Sequence, residues 1–116
     1  MHVEIFKELG DEIGPEFVIH LYDPPTKMKG VVVVDTTAFG PTGGGVRMLP
    51  DITTLEIARL ARIMTYKLAI WDFPLGGGKA GIWHDPTTSD KNRIISAFGR
   101  LIEPLMKEAL YFPGAD

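Results

Sequence analysis

Hydrophobic and polar positions repeat with two different periods along the chain, and the change of period predicts alternating strands and helices. Residues 16–22 alternate with period two, which predicts a strand. The β-branched run at residues 30–35 is typical of a central strand buried on both faces, and we expect it to pair antiparallel with the first strand. Residues 53–70 and 89–108 instead repeat apolar residues every three or four positions, which predicts two helices.

Local signals define the ends of these elements. Thr53, with Glu56 three residues later, forms a capping box at the start of the first long helix. Pro104 is expected to kink the second long helix or to end its first segment, because proline lacks the backbone N–H and clashes with the preceding turn. The remaining elements are a short helix over residues 1–9 and short strands over 46–49, 80–83 and 110–112. The predicted fold is therefore α/β: one domain over residues 1–116, with a mixed β-sheet flanked by helices.

Two glycine runs interrupt the pattern and are predicted to be loops. The first covers residues 43–45. The second covers residues 76–78, within the segment 74–81, and Lys79 follows it directly. Glycine allows backbone conformations closed to other residues and lets a ligand approach closely. Apolar segments flank the second run, so we expect Lys79 on a tight loop at the mouth of the core. A lysine partly removed from water gives up its proton more readily, which makes Lys79 a candidate base or nucleophile.

The second glycine run does not predict a nucleotide site. Residues 76–81 match the spacing G-x-G-x-x-G, but that fingerprint needs a helix to follow, and residues 81–86 read as strand and turn. A phosphate-binding P-loop fails as well, because Phe73 and Ala80 stand where glycine and a hydroxyl side chain belong. No Rossmann domain is expected in this chain.

Composition narrows the classes of function. The net charge of −3, without a basic cluster, argues against a nucleic-acid surface, and no apolar run is long enough to span a membrane. The chain has no cysteine, and its three histidines lack the spacing of metal ligands, so no metal site is expected. A cytoplasmic protein is the default expectation.

Lys67 is the second lysine that the pattern singles out. At 100° per residue it projects within ~20° of Leu60, on the shoulder of the apolar stripe of its helix. Taken alone, such a lysine usually extends its ammonium group to water. Two ammonium groups near exposed backbone N–H groups would also suit a small carboxylate ligand, with one lysine left for proton chemistry.

Three segments together resemble the signatures of the glutamate/leucine/phenylalanine/valine dehydrogenases. They are residues 40–48 (GPTGGGVRM), 64–67 (MTYK) and 74–79 (PLGGGK). The resemblance runs in register from Ile5 to Asp116, is strongest to the leucine dehydrogenase type, and covers only the N-terminal half of that family, its substrate-binding and dimerisation domain. It implies reversible oxidative deamination of an L-amino acid to a 2-oxo acid and ammonia.

The same resemblance implies roles for individual residues. Lys79 would be the catalytic lysine that polarises and activates water at the imine carbon, and Asp116 would be the proton shuttle. Lys67 would bind the substrate α-carboxylate. The implied substrate-binding set is Lys67, Gly43, Gly44, Gly76 and Gly77.

The resemblance also bears on substrate, cofactor and partners. Glutamate-specific members carry lysine near position 43 and leucine-type members carry leucine, whereas this chain has Gly43. We therefore expect an apolar substrate and not glutamate, although Arg47 or another nearby basic residue could receive a second carboxylate. NAD or NADP is implied for the full-length enzyme and is not expected to bind this chain alone. A homo-oligomer, dimer or higher, is implied.

Two alternatives remain open at this point. One is a non-catalytic assembly or regulatory domain that kept the fold without the cofactor half. The other is a small anion-binding module that uses the glycine run alone. Titration with phosphate against amino and oxo acids would separate the anion module from a substrate site.

Overall fold

The computed structural model describes residues 4–116, which form a mixed β-sheet with helices on both faces. The elements in chain order are α1 (Ile5–Leu9), β1 (Phe17–Asp23), β2 (Met28–Val34), β3 (Thr42–Met48), α2 (Thr54–Ile70), β4 (Gly76–Ile82), α3 (Lys91–Lys107) and β5 (Tyr111–Gly114). The predicted α/β fold is confirmed. Of the helix predicted over residues 1–9, residues 1–3 lie outside the described part.

The sheet combines antiparallel and parallel pairs. Its strand order is β1-β2-β4-β3-β5. The pairs β1/β2 and β2/β4 are antiparallel, whereas β4/β3 and β3/β5 are parallel. Because β3 and β4 are parallel neighbours, α2 is the crossover helix that joins them.

The β-branched strand β2 is buried on both faces, as predicted. Val31 and Val33 join the core beneath α2, and Val32 and Val34 join the core beneath α3. Since successive strand residues point to opposite faces, this run supports both helical layers at once.

The glycine runs lie in strands, and the prediction that they form loops is wrong. Residues 43–45 belong to β3 and residues 76–78 begin β4, the strand at the centre of the sheet. The local pattern favours loops because glycine allows backbone conformations closed to other residues. Here the selecting factor is close packing, which the local pattern does not reveal.

Close packing of α2 explains the glycines of β4. A Cβ atom at Gly77 would overlap the Ala61 carbonyl and the backbone N–H of Thr65, and one at Gly81 would overlap the side chain of Ile52. None of these glycines needs a left-handed backbone: among residues 4–116, Gly40 is the glycine with positive φ. The absent side chains let α2 lie directly against the sheet, which brings the polar residues of the helix and strand together.

The helix boundaries agree with the sequence except at Pro104. The Oγ1 atom of Thr53 accepts a hydrogen bond from the N–H of Glu56 at 3.1 Å, so α2 begins as its capping residue predicts. The second long helix continues through Pro104 to Lys107 without ending there. Proline removes only one hydrogen bond in this last turn, and Leu105 and Met106 keep the turn packed on the core.

The described helices do not have the features of a membrane-spanning segment. In residues 4–116, no helix has both the length and the apolar character that a bilayer span requires.

Candidate active site

A cavity of about 560 Å³ lies between α2, the glycine-rich β3 and the C-terminal residues. Its apolar lining includes Leu60, Ile63, Met64, Leu68, Leu75 and Phe112. Its charged lining is Arg47, Lys67, Lys79 and Asp116. The cavity therefore has the composition expected of a small-molecule site, mainly apolar with a few converging polar groups.

Lys79 reaches this cavity from the middle of the central strand β4. Its side chain is 9% exposed, and its Nζ atom donates to Oδ1 of Asp116 at 2.6 Å. The prediction of a tight loop for Lys79 is corrected: a rigid strand, paired on both sides, holds the lysine. A group mounted on a strand is positioned more precisely than one on a loop.

Asp116 receives hydrogen bonds from two cationic side chains. Oδ2 accepts from Nε of Arg47 at 2.8 Å, and Oδ1 accepts from Nη2 of Arg47 at 3.3 Å as well as from Lys79. These bonds, first from Arg47 and then from Lys79, lower the pKa of the Asp116 carboxyl to about 2. The carboxylate is therefore ionised at neutral pH.

The contact between Arg47 and Asp116 was missed in the sequence. The parallel pairing of β3 with β5 aligns Gly45 with Gly114, and continuing that alignment by two residues places Arg47 beside Asp116. The signal exists only once the strand register is known. Arg47 is bound to Asp116 and its Nη1 atom lies 3.9 Å from Glu56, so its charge is already shared between two carboxylates.

Lys67 lines the same cavity from α2. It is exposed, and none of the ion pairs formed within residues 4–116 involves it. Lys79 and Arg47 both bind Asp116, so Lys67 is the cation of this cavity that is left for an anionic ligand.

The glycines of the two runs occupy different places. Gly43 and Gly44 line the cavity, and the Gly44 carbonyl accepts a hydrogen bond from the buried Tyr111 hydroxyl at 2.7 Å. Gly76 and Gly77 do not line it. Their N–H groups already donate, at 3.0 Å each, to the Pro41 carbonyl and to Oγ1 of Thr65 respectively.

A buried polar link fixes α2 against β4 beneath the cavity. Oγ1 of Thr65 accepts from Gly77 and donates to Oδ2 of Asp35 at 2.7 Å, and the same carboxylate oxygen accepts from Nε of Arg62 at 2.7 Å.

Burial raises the pKa of the Tyr111 hydroxyl on the far side of the sheet, so that group stays protonated as a donor to Gly44. Neither contact was predicted from the sequence, because both depend on tertiary packing.

The described residues lack the features of a nucleotide or metal site. Residues 76–81 are strand residues between β2 and β3, and α3 begins only at Lys91, so no helix N-terminus meets these glycines. They do not fit a pyrophosphate group. In the part of the chain from residue 4 onward, no group of three His, Asp or Glu side chains stands close enough to hold a metal ion.

The chain matches one known protein family over most of its length. Residues 15–115 match the profile of the family described as Glu/Leu/Phe/Val dehydrogenase, dimerisation domain. The chain is 34% identical over 105 residues to the phenylalanine dehydrogenase of Caldalkalibacillus thermarum, covering 87% of this chain and 28% of the relative. It is also 34% identical over 107 residues to the leucine dehydrogenase of Bacillus subtilis, covering 89% of this chain and 29% of the relative.

A solved structure agrees with these sequence relatives. The crystal structure of L-tryptophan dehydrogenase from Nostoc punctiforme superposes with a TM-score of 0.78 at 32% identity, over 90% of this chain and 31% of that one. The chain thus spans less than a third of the length of its curated relatives. Identity does not separate the phenylalanine from the leucine enzyme, since both values are 34%.

Proposed function

The chain belongs to the Glu/Leu/Phe/Val dehydrogenase family through its dimerisation domain, and we propose that it is the substrate-binding and oligomer-forming half of an NAD(P)-dependent amino-acid dehydrogenase. The proposed reaction is the reversible oxidative deamination of an L-amino acid to a 2-oxo acid and ammonia. One observation carries the proposal. A 2.6 Å ion pair between Lys79 and Asp116 lies on the wall of a cavity that is also lined by Lys67, which forms no ion pair within residues 4–116.

Each charged residue has a proposed role. Lys67 binds the α-carboxylate of the substrate, because it is the cation of the cavity not bound to Asp116. Lys79 polarises the water that attacks the imine carbon, and Asp116 takes the proton that this water releases. Asp116 is ionised at neutral pH and its Oδ2 atom has an acceptor position open, which supports the acceptor role. The pKa lowered to about 2 makes it a weak base, so it passes a captured proton on readily.

The cofactor is proposed to be held outside the described residues. Dehydrogenases of this family use NAD or NADP. The glycines of β4 lie in the central strand of the sheet, so they do not fit the pyrophosphate group of either cofactor. Residues 4–116 therefore contribute the substrate and proton chemistry alone.

The charge balance of the cavity favours a substrate with one carboxylate and an apolar side chain. Three cations and one anion line it, and two of the cations bind Asp116. A second carboxylate would have to compete with Asp116 for Arg47 or Lys79, and a buried charge without a full partner is costly. At Gly43 a Cβ atom would meet only the Phe112 carbonyl, at 3.6 Å, so the glycine leaves space that a large apolar side chain can fill.

Calorimetry with 2-oxo acids tests this function on the chain itself. We expect 4-methyl-2-oxopentanoate or phenylpyruvate to bind more tightly than 2-oxoglutarate or inorganic phosphate. Lys67→Gln should weaken binding about tenfold or more, because it removes a charge-assisted contact to the carboxylate. The matched control is Lys29→Gln, an exposed lysine of β2 outside the cavity lining, which should bind as the parent does.

Other outcomes identify the alternatives. Preference for phosphate over every oxo acid would mean an anion-binding module. Absence of binding by any of these ligands, in a folded chain that self-associates, would favour a non-catalytic assembly domain. A screen of L-amino acids on the chain joined to a cofactor domain would then identify the substrate.

A further inference from the structure

We propose that Arg47 is a positioning residue for Asp116, which it holds against Lys79 with one carboxylate oxygen left to receive a proton. This inference rests on the proposed function, because it assigns the orientation of the group that would move protons there. It concerns a residue whose contacts become visible only in the folded sheet.

The geometry is that of a planar fork on a carboxylate. Nε of Arg47 lies 2.8 Å from Oδ2 of Asp116, and Nη2 lies 3.3 Å from Oδ1. Two contacts from one rigid guanidinium fix both the position and the rotation of a carboxylate, which a lysine ammonium cannot do. Lys79 then meets Oδ1 at 2.6 Å.

These contacts leave the two oxygens unequal. A carboxylate offers about four acceptor positions, two on each oxygen. Oδ1 accepts from both Lys79 and Arg47, whereas Oδ2 accepts from Arg47 alone among residues 4–116. The open position is therefore on Oδ2, and that oxygen is the one that takes the proton.

The charged and titratable groups around Asp116 come from every element packed near it. Arg47 of β3 and Lys79 of β4 bind it directly. The pKa of the Tyr111 hydroxyl of β5 is raised mainly by burial and secondly by the charge of Asp116, so this group also faces Asp116.

Lys67 of α2 lines the same cavity as Asp116, and Lys91 of α3 lines a neighbouring cavity that Asp116 also reaches. Glu56 faces Arg47 and is the group that competes for it.

The contribution to folding should be small, which separates positioning from structural support. The side chains of Arg47 and Asp116 are 31% and 28% exposed, and ion pairs at such exposure add little to stability. What Arg47 changes most directly is the carboxylate itself, since it is the first cause of the lowered pKa of Asp116 and also fixes its orientation.

Nuclear magnetic resonance of the 116-residue chain tests the proposal. In the parent chain, the Nε–H resonance of Arg47 should shift with pH at the same midpoint as the Asp116 carboxyl carbon. Arg47→Gln should raise that carboxyl midpoint by about one pH unit, because one of two adjacent cations is lost. Arg47→Lys keeps the charge without the fork, so it should leave the midpoint near its parent value. Glu56→Gln, which removes only the competing partner of Arg47, should not raise the midpoint.

Several results would overturn the proposal. One is an Arg47 Nε–H resonance in the parent chain that does not follow the Asp116 titration, a measurement that needs no variant to fold. Another is a folded Arg47→Gln chain with an unchanged Asp116 midpoint. Oxo-acid binding is measured separately, so coupling without binding would contradict the proposed function and leave the positioning of Asp116 intact.

Discussion

Lys79 and Asp116 lie 37 positions apart in the sequence, and the sheet brings their charged atoms to 2.6 Å. Both residue types and the motifs that carry them are visible in the sequence, which is why they could be nominated there. Their pairing with Arg47 could not, because it depends on the register between β3 and β5. At the scale of single residues, the sequence nominates Lys79 and Asp116 for a chemical role, and the fold determines which groups they contact and how they are oriented.

Asp116→Asn tests the ion pair through the pH dependence of stability. The pKa of Asp116 is lower in the folded protein than in the unfolded chain, so the pair stabilises the fold fully above about pH 4 and less as the pH falls toward about 2. The variant should be less stable than the parent by about 1 kcal/mol at neutral pH. The difference should shrink as the pH falls through 2 and vanish below it, as measured by urea unfolding at several pH values.

The control for this measurement is Asp51→Asn, at an exposed aspartate in the turn before α2. It should change stability little at any pH in the same range. A parent and an Asp116→Asn variant that differ equally at pH 7 and pH 2 would show that the loss is not electrostatic.

At the scale of elements, helices and the apolar strand follow from local sequence, and the glycine strands do not. The capping residue Thr53 and the apolar period of α2 act within a few neighbouring residues, so their signal is local. Gly77 is selected by the backbone of α2 at Ala61 and Thr65, which no local pattern records. Pro104 shows the converse case, where a strong local signal for a helix end is overridden by packing of the last turn.

Gly77→Ala should test whether close packing is the reason for glycine in β4. The added methyl group would overlap the backbone of α2, so we expect a loss of about 3 kcal/mol in the free energy of unfolding. Lys67 would move with the helix, so binding of 4-methyl-2-oxopentanoate should weaken as well.

Gly99→Ala is the matched control on α3. Apart from the backbone of its own helix, nothing lies within 4 Å of a Cβ built at Gly99, and alanine favours a helix, so this variant should gain about 0.5–1 kcal/mol. Chemical denaturation of both variants measures these changes in the free energy of unfolding. Equal stability of Gly77→Ala and the parent would mean that α2 does not depend on the glycine.

At the scale of the whole molecule, residues 4–116 form a cavity with apolar and charged walls and place no helix N-terminus at the glycines of β4. The glycines that match the dinucleotide spacing form the central strand, and their neighbours on both sides are strands. We therefore predict that calorimetry detects no binding of NAD or NADP to the 116-residue chain, and that it does not reduce NAD with any amino acid. Reduction of NAD by the purified chain would contradict the proposed division of roles.

Self-association is the remaining expectation for the whole molecule, and the surface at the end of α2 indicates where it should occur. Four large apolar side chains are exposed there, namely Tyr66, Ile70, Trp71 and Phe73. Soluble monomers seldom leave so many exposed together, and the family profile is described as a dimerisation domain.

Ile70→Lys tests this surface because the side chain is 79% exposed and makes little contribution to the core. A lysine at the C-terminal end of a helix also suits the helix dipole, so the variant should fold normally. In sedimentation experiments at micromolar concentration we expect the parent chain to form dimers or larger species and Ile70→Lys to dissociate at least tenfold more readily, since a desolvated charge opposes burial. Ile95→Lys, on the exposed side of α3, should associate like the parent. A monomeric parent would contradict self-association itself, whereas a variant that associates like the parent would contradict the α2 surface alone.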